Sequence, residues 1–444
     1  MTQRLVVIGG DAAGMTAASR AKRLRGDALD VVVLEQGRFT SYSACGIPYW
    51  VGGEVGSVDD LVVRSPEEHR RNGIDVRLDS RATGIDLDRC EVAVDGSDPV
   101  GFDQLLIATG ATPIRPPLPG LDAPNVHGVQ TLTDGARLID GLSDEPGRAV
   151  VIGAGYIGIE MAEALVRRRY DVTVVDKGAQ PMSTLDADLG ALVAGAMEGL
   201  GIDVECDTAV ESLDLDPAGR VTAVRAGGRS YPADLVVLGI GVRPAAEIAA
   251  EAGLPRGDRG GIRVNARMEV ADGVYAAGDC VESWDRVAQR WVHVPLGTHA
   301  NKQGLVAGLR IAGVDAEFPG ILKTAISKVC DLEVARTGLG SDEAAELGYD
   351  VVAATIETTT QAGYMPDARP MTVKLLADRP TGRLLGAQFV GREGSAIRID
   401  TCATALWAGL TVHEVMMSDL GYAPPFSSVW DPVQVAARKV VEQL

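Results

Sequence analysis

The residue type best suited to chemistry here is the cysteine of Ser41-Tyr42-Ser43-Ala44-Cys45-Gly46-Ile47-Pro48-Tyr49. A thiolate attacks disulfides and other electrophilic sulfur or oxygen, and its reactivity depends on its surroundings. Gly46 and Pro48 stiffen the backbone around it. The other cysteines are Cys90, Cys206, Cys280, Cys330 and Cys402, scattered without C-x-x-C or any other metal spacing. No metal site is expected, and a catalytic disulfide at Cys45 would draw its second sulfur from outside the chain. A lone cysteine is more often a small buried hydrophobe. Cys45 is set apart by the elements on either side of it.

Upstream, the apolar run Leu5 to Ile8 leads into Gly9, Gly10, Asp11, Ala12, Ala13 and Gly14, then a helical pattern over Met15 to Leu24. Small residues there let a pyrophosphate approach the helix N-terminus, where free N–H groups favour negative charge. A strand over Asp30 to Leu34 follows and ends on Glu35, placed to accept ribose hydroxyls. Asp11 stands where G-x-G-x-x-G has its middle glycine, so this first motif needs support. The support is Val150 to Glu160, where an unbroken Gly153, Gly155, Gly158 fingerprint, with Tyr156 and Ile157 inside it, opens a helix carrying Glu160. Its second strand, Val172 to Val175, closes on Asp176, with Lys177 next. Two such units imply two nucleotides, a flavin held by the first and a nicotinamide cofactor visiting the second. A carboxylate at Asp176 favours NADH, and Lys177 leaves NADPH open.

Three further segments return to these sites. Leu105 to Pro113 is a buried strand stopped at Ala108, Thr109 and Gly110, and Leu235 to Pro244 repeats the design around Gly241. Val274 to Asp279 presents an acidic side chain beyond a glycine, suited to a ribityl hydroxyl, and a helix begins near Leu296, Gly297 and Thr298. The predicted fold is α/β, with a discontinuous flavin domain over 1–112 and 246–320 and a nicotinamide domain over 113–245. From 321 to 444 the pattern changes to alternating strands, Met371 to Leu376 and Leu384 to Val390, then a helical stretch from Gly394 to Gly409. An irregular segment, Asp419 to Ser427, is stiffened by two prolines.

The bulk composition sets limits. The 444 residues exceed one ordinary core, and 46% apolar with 23% charged residues is globular. A net charge of −19 argues against nucleic acid or an anionic membrane as partner. No apolar run approaches the roughly 20 residues of a membrane span. The N-terminus has no signal-peptide pattern, and unpaired cysteines fit a reducing cytoplasm.

Together these motifs resemble the flavoprotein disulfide reductases with two dinucleotide-binding domains, the glutathione reductase-like fold, over essentially the whole chain. The cysteine pair and C-terminal His-Glu pair of glutathione reductase and lipoamide dehydrogenase are missing. The pattern of Ser41, Cys45, Gly46, Pro48 and Tyr49 is instead similar to the single-cysteine branch of coenzyme A disulfide reductases, NADH oxidases and NADH peroxidases. Gly9 to Gly14 and the Tyr422 to Ser428 segment resemble the coenzyme A disulfide reductases more narrowly. Peroxidases and many oxidases carry a histidine where this chain has Ala12.

The resemblance implies FAD, contacted also by Gln36 and Ala82, and a C-terminal dimerisation domain that lends Tyr422 and Tyr364 to the partner's site in a homodimer. Thr16, Arg20, Arg23, Ser41 and His299 are implied as coenzyme A contacts. On the first helix Lys22 and Arg25 also offer positive charge, while Ala44 replaces an asparagine frequent in relatives. The expected activity is NAD(P)H-dependent reduction of coenzyme A disulfide through a Cys45 mixed disulfide. Oxidase, peroxidase or persulfide reductase activity is the alternative, and a redox-sensing or electron-transfer flavoprotein with a protein partner is the second.

Overall fold

Short apolar runs between glycine turns pair as parallel strands because both faces of each run can be buried under helices. In the computed structural model, which describes residues 2–143 and 145–444, this produces two parallel-type sheets. The first has six strands in the order Glu269–Ala271, Val274–Ala276, Gln104–Ile107, Gln3–Ile8, Leu29–Leu34, Ile74–Arg77. Its central strand pairs in parallel with both neighbours, Leu5 opposite Val31 on one side and Gln104 on the other. Leu5, Val6 and Val7 are fully buried. Helices Ala12–Arg25 and Gly297–Ile311 lie against one another on this sheet.

The second sheet has five strands, in the order Asp203–Glu205, Asp171–Val175, Arg148–Ile152, Leu235–Leu238, Val126–Gly128. Helix Tyr156–Arg167 follows its central strand. The chain leaves and re-enters the first sheet through an antiparallel ribbon in which Ala111–Pro113 pairs with Val242–Pro244. The ribbon is pinned by Thr109 Oγ1 donating to the Ala245 carbonyl at 2.5 Å and by the Ala245 N–H donating to the Gly110 carbonyl.

After helix Gly297–Ile311 the strands become antiparallel. The sheet runs Ala325–Val329, Leu332–Gly338, Leu384–Gly391, Pro370–Asp378, Val351–Thr359. Phe389, Val373 and Leu375 fill its core with Ile399 and Val433 from helices Ile399–Ala408 and Pro432–Val441. The architecture is the mixed α/β fold, with a C-terminal α+β unit, expected from the sequence. Polar bridges join this unit to the second sheet's helices. Asp186 accepts from Lys374 Nζ at 2.8 Å, from Gln388 and from Ser341, while Glu163 accepts from Lys328 and from the Cys330 N–H. Among the described residues no helix is long and apolar enough to cross a membrane.

Candidate active site

Cys45 lies in a 3-10 turn, Ala44–Gly46, that leads directly into helix Ile47–Gly52. The chain before it is tied to the first glycine turn. Thr40 Oγ1 donates to the Gly10 carbonyl at 2.5 Å, the Ser41 N–H donates to the same oxygen, and the Tyr42 N–H donates to Asp11 Oδ1 at 3.2 Å. The chain after it belongs to the second unit. Ile47 and Val51 are buried among Leu132, Ile159 and Met161, and the Val51 carbonyl accepts from Arg168 Nε at 2.6 Å. A Cβ on Gly46 would come within 2.2 Å of a Leu61 methyl, so a larger residue in this turn would have to displace that side chain. Cys45 is thus the joint between the two nucleotide-type units.

Cys45 is exposed as a residue, and its thiol, like those of all six cysteines among the described residues, is unpaired. Burial pushes its pKa up, and the carboxylates of Glu160, Asp279 and Asp11 push it further. The following helix has only six residues, and the chain's own field is negative. Glu160 is itself raised by burial, although it accepts from Ser327 Oγ at 2.8 Å, a bond that crosses from the C-terminal sheet.

The first glycine turn fits a dinucleotide. Glu35 turns one oxygen to the Gly10 N–H and the other to the Gly37 N–H, both at 2.7 Å, placing its carboxylate against the turn. Ala13 and Gly14 are buried behind it, while Gln36 is exposed. Asp11 does not cap the helix; its side chain is given to Tyr42. Burial, with Glu35 and Asp279 nearby, raises Asp11 to about 6. Burial alone raises Asp279 to about 6, the behaviour of a carboxylate wanting hydrogen-bond donors such as ribityl hydroxyls. Ala82 starts strand Ala82–Asp86 and, with Ala12 and Ala108, packs on the same core. Leu296 precedes the helix that Gly297 and Thr298 begin, both of them exposed.

The second glycine turn repeats the arrangement. Asp176 accepts from the Ala154 N–H at 2.5 Å and from the Gly178 N–H at 2.6 Å. Gly153 and Gly158 are buried, whereas Gly155, Ile157 and Lys177 are exposed. Tyr156 opens the helix with its hydroxyl 3.4 Å from Thr184 Oγ1, and Gly241 lies at the ribbon with φ +91°. The donor and acceptor sets of both turns suit a bound dinucleotide.

Thr16, Arg20 and Arg23 share one face of helix Ala12–Arg25 by their spacing. Thr16 Oγ1 meets Asn301 at 2.9 Å, Arg23 is exposed, and Arg20 Nε is buried without a protein partner. Lys22 and Arg25 do not join them. Lys22 caps the helix end through the Gly26 and Leu29 carbonyls, and Arg25 bonds Gln3. His299 is buried, with Nδ1 3.4 Å from the Val294 carbonyl. Ser41 has a left-handed backbone, φ +50°, and its Oγ lies 2.9 Å from His69 Nε2. His69 is buried and was not foreseen, since 28 residues separate it from Ser41 and no motif marks it.

Tyr364 and Tyr422 stand apart from this cluster on two loops of the C-terminal unit. They are 75% and 47% exposed, and the nearby Tyr422 hydroxyl raises the Tyr364 phenol. Phe426 and Val429 are exposed on the same loop as Tyr422.

Comparison with known proteins places this geometry among relatives. The family described as pyridine nucleotide-disulphide oxidoreductase matches residues 3–304, and its dimerisation domain matches 324–433. An NAD(P)H sulfur oxidoreductase (CoA-dependent) of Pyrococcus furiosus is 38% identical over 98% of each chain. An NADH oxidase of Methanocaldococcus jannaschii is 34% identical over 99% of each. The structure of an NAD-dependent persulfide reductase from A. fulgidus superposes with a TM-score of 0.96 at 38% identity, over 99% of this chain and 83% of that one.

Proposed function

The chain belongs to the pyridine nucleotide-disulphide oxidoreductase family, and from that premise we propose that it uses NAD(P)H to reduce sulfur–sulfur bonds carried by coenzyme A. The substrate is the disulfide or the persulfide, and Cys45 is the single redox-active thiol. The observation that carries this reading is the position of Cys45, tied to one glycine turn before it and buried into the other unit after it, with no cysteine partner among the described residues.

Glu35, Asp11, Asp279 and the Gly9–Gly14 turn would hold FAD, and Asp176 with the Gly153–Gly158 turn would hold the nicotinamide cofactor. FAD, when bound, passes an electron pair from NAD(P)H to the sulfur site. The chain's part begins with the Cys45 thiolate, which attacks the sulfur–sulfur bond of the coenzyme A substrate. A mixed disulfide between Cys45 and coenzyme A forms, and a coenzyme A thiolate leaves from the disulfide or a hydrosulfide from the persulfide. Two electrons then cleave that mixed disulfide, releasing the second thiol and restoring the Cys45 thiolate. Arg20 and Arg23 would neutralise substrate phosphates, Thr16, Ser41 and His299 would line the approach, and Tyr364 and Tyr422 would supply protons to departing thiolates.

The exposed Tyr364, Phe426 and Val429 support a homodimer in which this face covers the partner's site. NADH is favoured by the Asp176 carboxylate, and the protein works in the cytoplasm. The test is anaerobic NADH and NADPH oxidation by the FAD-loaded protein with coenzyme A disulfide and with coenzyme A persulfide, set beside oxygen uptake. Sulfur substrates are expected to exceed oxygen by about tenfold or more. Oxygen uptake outrunning both sulfur substrates would make the protein an oxidase, like the M. jannaschii relative.

A further inference from the structure

Tyr364 and Tyr422 lie 58 residues apart, on the loop 360–369 between two strands and on the irregular segment before helix Pro432–Val441. Exposed aromatic side chains on separate loops are ordinarily free to adopt many orientations. Tyr422 nevertheless stands near enough to Tyr364 to raise its phenol. One direct bond joins the loops, from the Ala362 N–H to the Pro424 carbonyl at 3.1 Å.

The rest of the connection passes through Arg398, at the start of helix Ile399–Ala408. Its Nη2 donates to the Thr360 carbonyl at 2.7 Å and to the Phe426 carbonyl at 2.5 Å. Its Nη1 donates to the Gly394 carbonyl at 2.5 Å, and its Nε faces Asp431 Oδ2 at 3.4 Å. Thr360 precedes Tyr364 by four residues and Phe426 follows Tyr422 by four, so a single guanidinium grips both tyrosine-bearing loops. Asp431 in turn accepts from Ser427 Oγ and from the Val433 N–H, anchoring the second loop to the last helix. Only 13% of the Arg398 side chain and 14% of that of Asp431 is exposed. A planar fork of donors can satisfy carbonyls in three directions, which an ammonium at the end of a flexible stem does not.

We propose that Arg398 is a positioning residue that locks the loops of Tyr364 and Tyr422 into one unit, so that the two hydroxyls are presented as a pair. The functional value of that pair rests on the reading that the tyrosines supply protons to departing thiolates. The clamp itself does not.

The experiment uses the FAD-loaded full chain labelled with 3-fluorotyrosine, with resonances assigned by Tyr364→Phe and Tyr422→Phe. In the wild-type protein Tyr422→Phe is expected to shift the titration midpoint of Tyr364. In Arg398→Lys that shift should vanish, and amide exchange should quicken in 360–369 and 422–431 together. An undiminished shift, or faster exchange confined to 394–398, would overturn the clamp. If Arg398→Lys does not assemble, Asp431→Asn is read the same way, since it removes the counter-charge but keeps a helix cap.

With the sulfur substrate, Arg398→Lys should lower kcat about tenfold with KM for NADH unchanged, and should add nothing in the Tyr364→Phe, Tyr422→Phe background. An additive loss would reduce Arg398 to a general structural role. Normal turnover by the double phenylalanine variant, with the fluorine coupling still dependent on Arg398, would remove the tyrosines from the chemistry and leave the clamp standing.

Discussion

The thiol of Cys45 is disfavoured as an anion first by burial and then by the negative charges of Glu160, Asp279 and Asp11. The flavin-free chain therefore keeps it protonated at neutral pH, and Glu160→Gln should ease its ionisation. Removing one nearby charge shifts a pKa by up to about 1 unit, so iodoacetamide should alkylate Cys45 several-fold faster at pH 8 in that variant. Unchanged alkylation would show that Glu160 does not act on the thiol. Cys45→Ser, by contrast, should keep its flavin while losing more than about a thousandfold in sulfur turnover. Cys45 stands out in the sequence as a candidate because Gly46, Pro48 and the flanking glycine turns are local signals. The Ser41 to His69 contact was not, because a buried histidine on a short helix looks like core until the fold brings it to a particular hydroxyl. The negative surroundings of the thiol were hidden for the same reason, since Glu160 and Asp279 come from distant segments.

At the scale of elements, both glycine turns were readable because their requirement is steric and short-range. A Cβ on Gly158 would lie 1.9 Å from the Gly153 carbonyl oxygen, which forces the helix away from the turn. Gly158→Ala should cost about 1–3 kcal/mol. It should also raise KM for the nicotinamide cofactor while leaving flavin content intact; loss of flavin without any change in KM would contradict the separate roles given to the two turns. The basic helix was only half readable. The family resemblance implied Arg20 and Arg23, and Lys22 and Arg25 offered charge beside them in sequence, but Lys22 and Arg25 are spent on the helix end and on Gln3. The Tyr364 and Tyr422 loops carry no periodic pattern, and the bonds of Arg398 that connect them are long-range and directed to backbone carbonyls.

Across the whole molecule, the second sheet's helices are held against the C-terminal sheet by charge pairs that no local pattern announces. Lys374 lies between Asp186 and Asp188 at 2.8 and 2.9 Å, and both it and Asp186 are nearly buried. Burial would raise the Asp186 carboxyl, but bonds from Lys374, Ser341 and Gln388 outweigh it and hold the pKa below its ordinary 3.8. Its stabilisation is thus complete above that value and is lost as pH falls through the lowered one. Lys374 is raised above its ordinary 10.5 by the same pairing, and its share is lost only as pH rises beyond that. Lys374→Met should therefore cost about 3 kcal/mol at pH 7, seen as a drop of several degrees in the thermal midpoint that narrows as pH approaches 3. A drop of equal size at pH 3 and pH 7 would assign the loss to packing instead. On the proposed reading these contacts keep one thiol between two nucleotide sites, with no cysteine partner among the described residues, and intact-mass measurement tests that claim most directly. One equivalent of coenzyme A disulfide, added anaerobically to the FAD-loaded protein, should leave a coenzyme A adduct on Cys45 that NADH removes and that Cys45→Ser never forms. Undiminished sulfur turnover by the serine variant, with no adduct in either protein, would contradict it.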